Sequence, residues 1–101
     1  MRYFVYVLGC FHKGRRLTYV GWTNDVARRL AQHNAGTGAR STRGRCWTLL
    51  HTEELQSRSE AMSREWHLKR DRNLRKQLHR ASGVIEEQPL PRIAMVRPRA
   101  G

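Results

Sequence analysis

Apolar side chains at the start of the chain predict two β-strands. In Tyr3–Cys10 both alternating faces are apolar and rich in β-branched and aromatic residues, which favours a central strand covered on two sides. The polar segment Phe11–Arg16 predicts a turn, and Leu17–Trp22 predicts a second strand. Two such strands joined by a short polar turn are expected to pair as an antiparallel hairpin.

A helix, a loop and a third strand are expected next. Thr23–Asp25 consists of short polar residues that cap free backbone N–H groups, so it predicts the start of a helix that runs to about His33. Residues 34–44 combine glycines with small and basic side chains and predict a mobile loop. Residues 47–52 are apolar again and predict the third strand.

Two more helices follow. Ser57 and Glu60 have the spacing of a capping box, which predicts a second helix that continues to about Arg70. A third helix is predicted over residues 74–81, with Gly83 ending it.

The order of elements predicts the fold class and the domain. The order β-β-α-β-α-α indicates an α/β fold of the α+β kind, a three-stranded antiparallel sheet flanked by helices. A single domain is expected over residues 1–83. All three prolines lie beyond it, and residues 84–101 are predicted to form a poorly ordered C-terminal tail.

Charge adds an expectation about partners. The 101 residues include 20 Lys and Arg against 8 Asp and Glu, a net charge of +12. Such an excess attracts polyanions, so nucleic acid is the expected partner and an anionic membrane surface the second candidate, unless the basic surface serves solubility alone. No obligatory protein partner is indicated. No apolar run approaches the ~20 residues of a membrane span. Cys10 and Cys46 lie far apart, and the protein is expected in the cytoplasm.

On the first helix, Arg29 and His33 fall beside the apolar stripe of Val26 and Leu30, whereas Arg28 points to solvent. A guanidinium at the edge of a core needs an anionic partner, which is either a carboxylate of the protein or a substrate phosphate. A histidine near a helix end is either a functional group or a capping and core-edge residue.

On the second helix, Glu65 falls within the apolar stripe, between Ala61 and Met62. Burying a carboxylate costs several kcal/mol, unless a cation compensates. The compensating group is Lys69 one turn later, Arg29, or a divalent metal. Mg²⁺ suits this position because it binds through one or two carboxylates and keeps several waters.

Tyr6 and Tyr19 are expected on neighbouring strands of the hairpin. Both are either core residues with locally satisfied hydroxyls or, beside Arg29 and Glu65, a pair suited to proton transfer. From the sequence alone, Asn73 is expected to cap the third helix.

Taken together, these residues resemble the GIY-YIG nuclease family. The resemblance covers about Tyr3 to Leu78 and looks most like the small standalone bacterial branch, the UPF0213-like proteins. Phe4, Ser41 and Trp47 depart from the usual pattern, in ways that bear on loop shape and substrate choice. The resemblance is carried by the segments Phe4-Val5-Tyr6, Tyr19-Val20-Gly21-Trp22-Thr23-Asn24-Asp25, Arg28-Arg29-Leu30, Gln32-His33-Asn34, Gly36-Thr37-Gly38-Ala39, Thr42-Arg43-Gly44, Ser59-Glu60-Ala61, Arg64-Glu65 and Leu68-Lys69-Arg70.

The resemblance implies roles for the residues that match the family pattern. Glu65 matches the carboxylate that binds the single divalent metal, Mg²⁺ or Mn²⁺, and Arg29 matches the arginine that stabilises the scissile phosphate. The remaining matches are the tyrosines of the two name motifs, the glycine that permits close packing there, a histidine of varying role and a late supporting asparagine; they are Tyr6, Tyr19, Gly21, His33 and Asn73.

The activity implied is metal-dependent hydrolysis of phosphodiester bonds, in DNA rather than RNA, with low sequence specificity and with structured or damaged DNA among the candidate substrates. Tyr19 is the expected base, ahead of Tyr6, and His33 competes with both. The backbone contacts are expected from Arg40, Arg43, Arg45 and Lys69. Two rivals stay open: a catalytically inactive basic module that only binds nucleic acid, and a basic structural protein of ribosome or nucleoid.

Overall fold

The structure, a computed structural model, describes residues 1–84. The tail predicted for residues 84–101 lies outside the described residues, apart from Val84. Three strands, three α-helices and one turn of 3₁₀-helix make up the described chain. In chain order they are β1 (Tyr3–His12), β2 (Arg15–Thr23), α1 (Val26–Ala35), the 3₁₀ turn (Arg40–Thr42), β3 (Thr48–Leu55), α2 (Arg58–Arg70) and α3 (Arg72–Ala81).

The β1–β2 hairpin is longer than its apolar pattern predicted. Its strands pair antiparallel out to His12 opposite Arg15, so the turn is only two residues, not the predicted six. Lys13 and Gly14 both have positive φ, 53° and 75°. A two-residue turn of this kind matches the right-handed twist of the flanking strands, so pairing continues through polar side chains.

The sheet has the order β2-β1-β3 and is antiparallel throughout. This confirms the predicted fold class and the central place of β1. The third strand begins at Thr48 and runs to Leu55, three residues beyond the predicted end. The charged residues Glu53 and Glu54 do not fit an apolar strand pattern, so the sequence did not predict this extension, yet both pair with β1. An irregularity of register lies between Val7 and Leu8.

Each face of β1 lies in a separate hydrophobic cluster. On one face Val5 and Val7 pack with Val20, Ala61 and Leu68, beneath α2 and α3. The other face carries a second cluster, into which Leu17, Tyr19 and Leu30 also pack; its buried members are Tyr6, Leu8, Cys10 and Trp47. Consecutive residues of a strand therefore serve opposite layers, as the two apolar faces predicted.

Side-chain caps fix the starts of the helices. Asp25 accepts from the Arg28 backbone N–H, and Ser57 accepts from that of Glu60, as predicted. The cap of α3 is Asp71, whose Oδ1 accepts from Leu74 N–H, so the expectation that Asn73 caps this helix was wrong. Because α3 begins at Arg72, Asn73 lies in its first turn. Over residues 1–84 there is no helix with the length and apolarity that crossing a membrane requires.

The stretch predicted as a mobile loop is held by specific contacts. Thr42 is fully buried in the 3₁₀ turn, and its backbone carbonyl accepts from Trp47 Nε1 at 2.9 Å. The Asn34 side chain accepts from Trp47 N–H at 2.6 Å and donates to Trp47 O at 3.1 Å. Trp47 therefore ties this segment to the second cluster, a contact that residue spacing did not reveal.

Glu53 should make stability depend on pH in acid. Arg64 Nε and Nη2 donate to its two carboxylate oxygens at 2.7 and 3.0 Å, which lowers the pKa of Glu53 from 4.5 to about 2. Protonation is therefore harder in the folded state than in the unfolded one, so stability is lost as pH falls from about 4.5 towards 2. Melting temperatures measured across this range should fall less steeply for Glu53→Gln than for the wild type.

Glu54→Gln is the matched control for this measurement. Glu54 neighbours Glu53 but pairs with Arg2 between side chains that are 50% and 73% exposed, where water screens the attraction. The melting temperature of Glu54→Gln should therefore fall with pH as steeply as that of the wild type. Equal pH slopes for the wild type and Glu53→Gln would rule out the Glu53–Arg64 pair as the cause.

Candidate active site

Tyr6 is the centre on which the candidate residues converge. It lies in the middle of β1, directly opposite Gly21 of β2, and is 2% exposed. A Cβ atom at residue 21 would lie 2.5 Å from the Tyr6 hydroxyl oxygen and 2.7 Å from the ring carbon that bears it. The hydroxyl end of the Tyr6 ring therefore lies directly against Gly21, and a side chain at that position would displace it.

His33 is hydrogen-bonded on both ring nitrogens. It is fully buried, with Nε2 2.8 Å from the Tyr6 hydroxyl and Nδ1 2.8 Å from Thr42 Oγ1. Thr42 Oγ1 donates its proton to Ala39 O at 2.8 Å, so it accepts from His33 Nδ1–H. The lone pair of the neutral ring then lies on Nε2, where the Tyr6 hydroxyl donates. The hydrogen bonds thus form a chain from Tyr6 through His33 to Thr42 and Ala39.

Thr42 and Gly38 support His33, and the sequence reasoning assigned neither of them a function. A Cβ at residue 38 would lie 2.6 Å from His33 Nδ1 and 3.0 Å from its Cα, so the loop can pass this close only with glycine. Both residues do fall inside the segments that carry the family resemblance. Their place in those segments was the only indication in the sequence that they support the site, because neither a threonine nor a glycine suggests chemistry by itself.

Burial sets the protonation of this pair. It raises the pKa of Tyr6 to about 12 against the opposing effect of the adjacent Arg29, while the charges of Tyr19 and Glu65 raise it further. Burial, together with the positive charge of Arg29, lowers the pKa of His33 below 6.5. At neutral pH, Tyr6 is therefore a phenol and His33 a neutral imidazole.

Arg29 and Tyr19 flank Tyr6 from α1 and β2. Arg29 is partly buried and donates from Nη1 to Gln32 Oε1 at 2.9 Å. Within residues 1–84 no carboxylate lies within 4.0 Å of its guanidinium, so the alternative of a bridge to Glu65 is not observed. The Tyr19 ring is also partly buried, with its centroid 4.8 Å from that of His33 and 6.3 Å from that of Tyr6.

Glu65 approaches from α2. Its side chain is 22% exposed and its Oε2 lies 3.5 Å from Lys69 Nζ. Met62 is 48% exposed, so the predicted apolar stripe between Ala61 and Met62 was wrong, and Glu65 lies at the margin of the core. The stripe that packs on the sheet runs through Ala61 and Leu68. A partly exposed carboxylate beside a lysine remains accessible to a cation or to solvent.

The other candidate residues lie around this centre or apart from it. Arg40 and Arg43 are exposed on the loop after α1, and Arg45 is partly buried with Nη1 donating to Ser41 O at 2.9 Å. Asn73 lines a separate groove between β2 and α3. No group of three or more His, Cys, Asp or Glu side chains that would suit a metal occurs within residues 1–84.

The β1–β2 hairpin brings Tyr6 and Tyr19 together, and the following helices supply Arg29 and Glu65. This arrangement is the one expected of a GIY-YIG nuclease domain. The model of the GIY-YIG catalytic domain matches residues 2–78, and the chain belongs to the GIY-YIG family, a family of nucleases. The match covers most of the chain and confirms the resemblance found in the sequence.

Within that family, the chain is similar to several UPF0213 proteins. It is 53% identical over 66 residues to one from Halobacterium salinarum, covering 64% of this chain and 82% of that protein. A relative from Haloquadratum walsbyi is 40% identical over 88 residues, covering 86% and 96% of the two chains. The solution NMR structure of a UPF0213 protein from Bacillus halodurans is 39% identical, covers 82% and 87% of the two chains, and has a TM-score of 0.45.

Proposed function

We propose that this protein is a metal-dependent endonuclease that hydrolyses phosphodiester bonds in DNA, with low sequence specificity, in the cytoplasm. The observation that carries the proposal is the setting of the Tyr6 hydroxyl. It is hydrogen-bonded to a neutral histidine, and it is close enough to Arg29, Tyr19 and Glu65 for each to affect its pKa. Membership of the GIY-YIG family and a net charge of +12 agree with a nucleic-acid substrate.

Glu65 is the residue proposed to hold a divalent metal. Mg²⁺ needs only one or two protein carboxylates and fills its remaining positions with water and substrate phosphate oxygens, so a single partly exposed carboxylate fits it. When bound, Mg²⁺ or Mn²⁺ supplies charge neutralisation at the phosphate and at the leaving oxygen. The Lys69 ammonium lies 3.5 Å from Glu65 Oε2, where it helps to orient the carboxylate.

Arg29 is proposed to bind a nonbridging oxygen of the scissile phosphate. Gln32 holds one end of the guanidinium by accepting a hydrogen bond on its uncharged side-chain amide, which orients the group without cancelling its charge. The charge on those oxygens grows as the new bond forms. A fixed donor then stabilises the transition state more than the bound substrate.

Tyr6 and His33 are proposed to take up the proton of the attacking water. A phenol with a pKa of about 12 is fully protonated at pH 7, so Tyr6 cannot act as a base alone. It can, however, pass its own proton to His33 Nε2 while its oxygen accepts one from water. Tyr6 is then a phenol again, and His33 carries the added proton. A buried neutral histidine orients a phenol for this relay.

Tyr19 is proposed to contact the substrate. In the described part of the chain its hydroxyl makes no hydrogen bond, and its ring is only partly buried. It therefore retains a donor and acceptor for the phosphate or the attacking water. The Tyr6–His33 hydrogen bond favours Tyr6 over Tyr19 for the relay. Arg40, Arg43, Arg45 and Lys69 are proposed to contact the flanking backbone.

The test is cleavage of a panel of labelled substrates. Single strands, duplexes and branched forms of both DNA and RNA are incubated with Mg²⁺, with Mn²⁺ or with a chelator. We expect strand cutting that requires the metal, tolerates changes of sequence and is fastest on DNA. Tight binding with no cutting under any condition would instead identify a binding module, and faster cutting of RNA would overturn the DNA assignment.

A further inference from the structure

A groove with a volume of about 430 Å³ lies between the start of β2 and α3, apart from the residues proposed for catalysis. We call it the basic groove, because arginine and lysine side chains form much of its wall. Its lining consists of Arg16 and Thr18 from β2 and of Arg72, Asn73, Arg75, Lys76 and His79 from α3.

The lining contains four permanent cations and no acidic side chain. In the described range, residues 1–84, none of the four forms an ion pair with a carboxylate. The acidic residue next to the groove in sequence, Asp71, accepts the Leu74 backbone N–H as the cap of α3. Arg16 contacts a neutral ring, Phe11, at 5.2 Å from its centroid. The charge of the basic groove is therefore not neutralised by the described chain, and it favours an anion.

Arg75 is held in place with part of its guanidinium unused. Its Nη1 donates to Lys69 O at 2.7 Å and to Leu68 O at 3.4 Å, two carbonyls at the end of α2. Its Nε is buried and has no hydrogen-bond acceptor. A buried N–H without an acceptor is unfavourable, and an anionic oxygen that reached this position would supply the missing acceptor.

His79 is the most buried side chain of the lining. The ring is 1% exposed, and Nε2–H donates to Cys10 O at 3.0 Å, because a carbonyl can only accept. Its other nitrogen, Nδ1, is buried without a partner. In this tautomer Nδ1 carries the lone pair and does not attract an anion, so the feature that distinguishes the basic groove from a merely charged surface is the unused Nε–H of Arg75.

The basic groove and the active site share β2. Thr18 and Tyr19 are consecutive, so their side chains leave opposite faces of the strand, and Tyr19 packs in the cluster around Tyr6. β2 is an edge strand of the sheet, so a ligand that lies along this edge can contact both faces of the strand. From Thr18 to Gly21, the residue opposite Tyr6, the strand advances about 10 Å, at roughly 3.3 Å per residue.

We propose that the basic groove binds backbone phosphates of the nucleic-acid substrate at a segment away from the bond that is cut. This inference rests on the proposed function for the identity of the ligand. Arg72, Arg75 and Lys76 approach from one helix and Arg16 from the strand, so a phosphate in the groove is surrounded on two sides. A nucleic-acid segment and a free phosphate offer the same oxygens, and the experiment separates them.

The experiment compares two double variants of the full-length protein that each remove two cations. Arg72→Gln with Lys76→Gln alters the groove at exposed side chains, whereas Arg28→Gln with Arg80→Gln alters exposed residues outside it. Binding of a labelled 20-base-pair duplex is measured by fluorescence anisotropy at several salt concentrations without divalent metal. We expect the groove variant to bind about tenfold more weakly, with a salt slope reduced by about 2 because two phosphate contacts are lost, and the control to change less than threefold.

Equal weakening by the two double variants would overturn the proposal, since it would reflect total charge. A second measurement follows the Nε–H signal of Arg75 by NMR. A shift with the duplex but not with inorganic phosphate supports a backbone site; saturation by inorganic phosphate at low millimolar concentration would overturn the nucleic-acid assignment. Binding is measured without cleavage, so a wild type that cuts nothing would refute the nuclease function and leave the groove result standing.

Discussion

Replacing Glu65 by glutamine is expected to lower the rate of DNA cleavage by about 10³-fold or more, with nucleic-acid binding retained. The amide has the same shape as the carboxylate but is a poor ligand for a hard divalent cation, and metal catalysis contributes several kcal/mol, at 1.36 kcal/mol per factor of ten. Stability should change little, because an i,i+4 helix pair such as Glu65–Lys69, with Lys69 in solvent, is worth about 0.3–0.5 kcal/mol. Single-turnover cleavage and anisotropy measured on the same duplex would check both statements.

Lys69→Gln provides the comparison that isolates the carboxylate. It breaks the same ion pair but leaves Glu65 as a ligand, so it should weaken binding through the lost cation and leave the cleavage step within about tenfold of the wild type. If Lys69→Gln reproduced the loss seen with Glu65→Gln, the ion pair itself would be the essential element. Full activity of Glu65→Gln would remove Glu65 from the metal site.

Replacing Tyr6 by phenylalanine should lower the cleavage rate by about 10²–10⁴-fold, the range usual for a general acid–base group. The ring remains packed against Gly21, so the fold should persist while the oxygen that takes the water's proton is lost. Tyr3→Phe, on the same strand but outside the site, should cleave like the wild type. If Tyr19→Phe lost more activity than Tyr6→Phe, the proton acceptor would be Tyr19.

The same relay predicts the acidic limb of the pH–rate profile. Once His33 is protonated it can no longer accept a proton from Tyr6, so activity is lost as pH falls through the pKa of His33. Burial and Arg29 lower that pKa, which places the limb below pH 6.5. His33→Gln keeps an acceptor for Tyr6 but cannot titrate, so its residual activity should lack this limb. His12→Gln, outside the site, should retain it, and an unchanged profile in His33→Gln would contradict the relay.

Much of the fold was predictable because its determinants are local. The two apolar faces of β1 predicted a covered central strand, and Asp25 and Ser57 marked two helix starts whose caps are observed. The ends of the strands were predicted less well. β3 continues through Glu53 and Glu54 because backbone pairing with β1 does not require apolar side chains. The cap of α3 was misassigned to Asn73 because Asp71, two residues earlier, is an equally good capping residue.

The candidate site was only partly predictable for a different reason. Helical spacing placed Arg29 and His33 on one face, but it gave no sign that His33 would be fully buried between Tyr6 and Thr42. It also placed Glu65 within an apolar stripe, whereas Met62 is exposed and the carboxylate lies at the margin of the core. A helical wheel orders side chains around one axis and contains nothing about what lies opposite them.

The sequence by itself determined the elements, their order, the excess of positive charge and the family, because these depend on local pattern and on composition. Only the tertiary structure decided which groups meet. The close approach of Tyr6 to Gly21 and the hydrogen bond between Tyr6 and His33 join residues far apart in the chain. The buried Nε of Arg75 and Nδ1 of His79 depend on which groups pack around them. Protonation and binding depend on burial and on distances between side chains, and those quantities exist only once the strands and helices have packed.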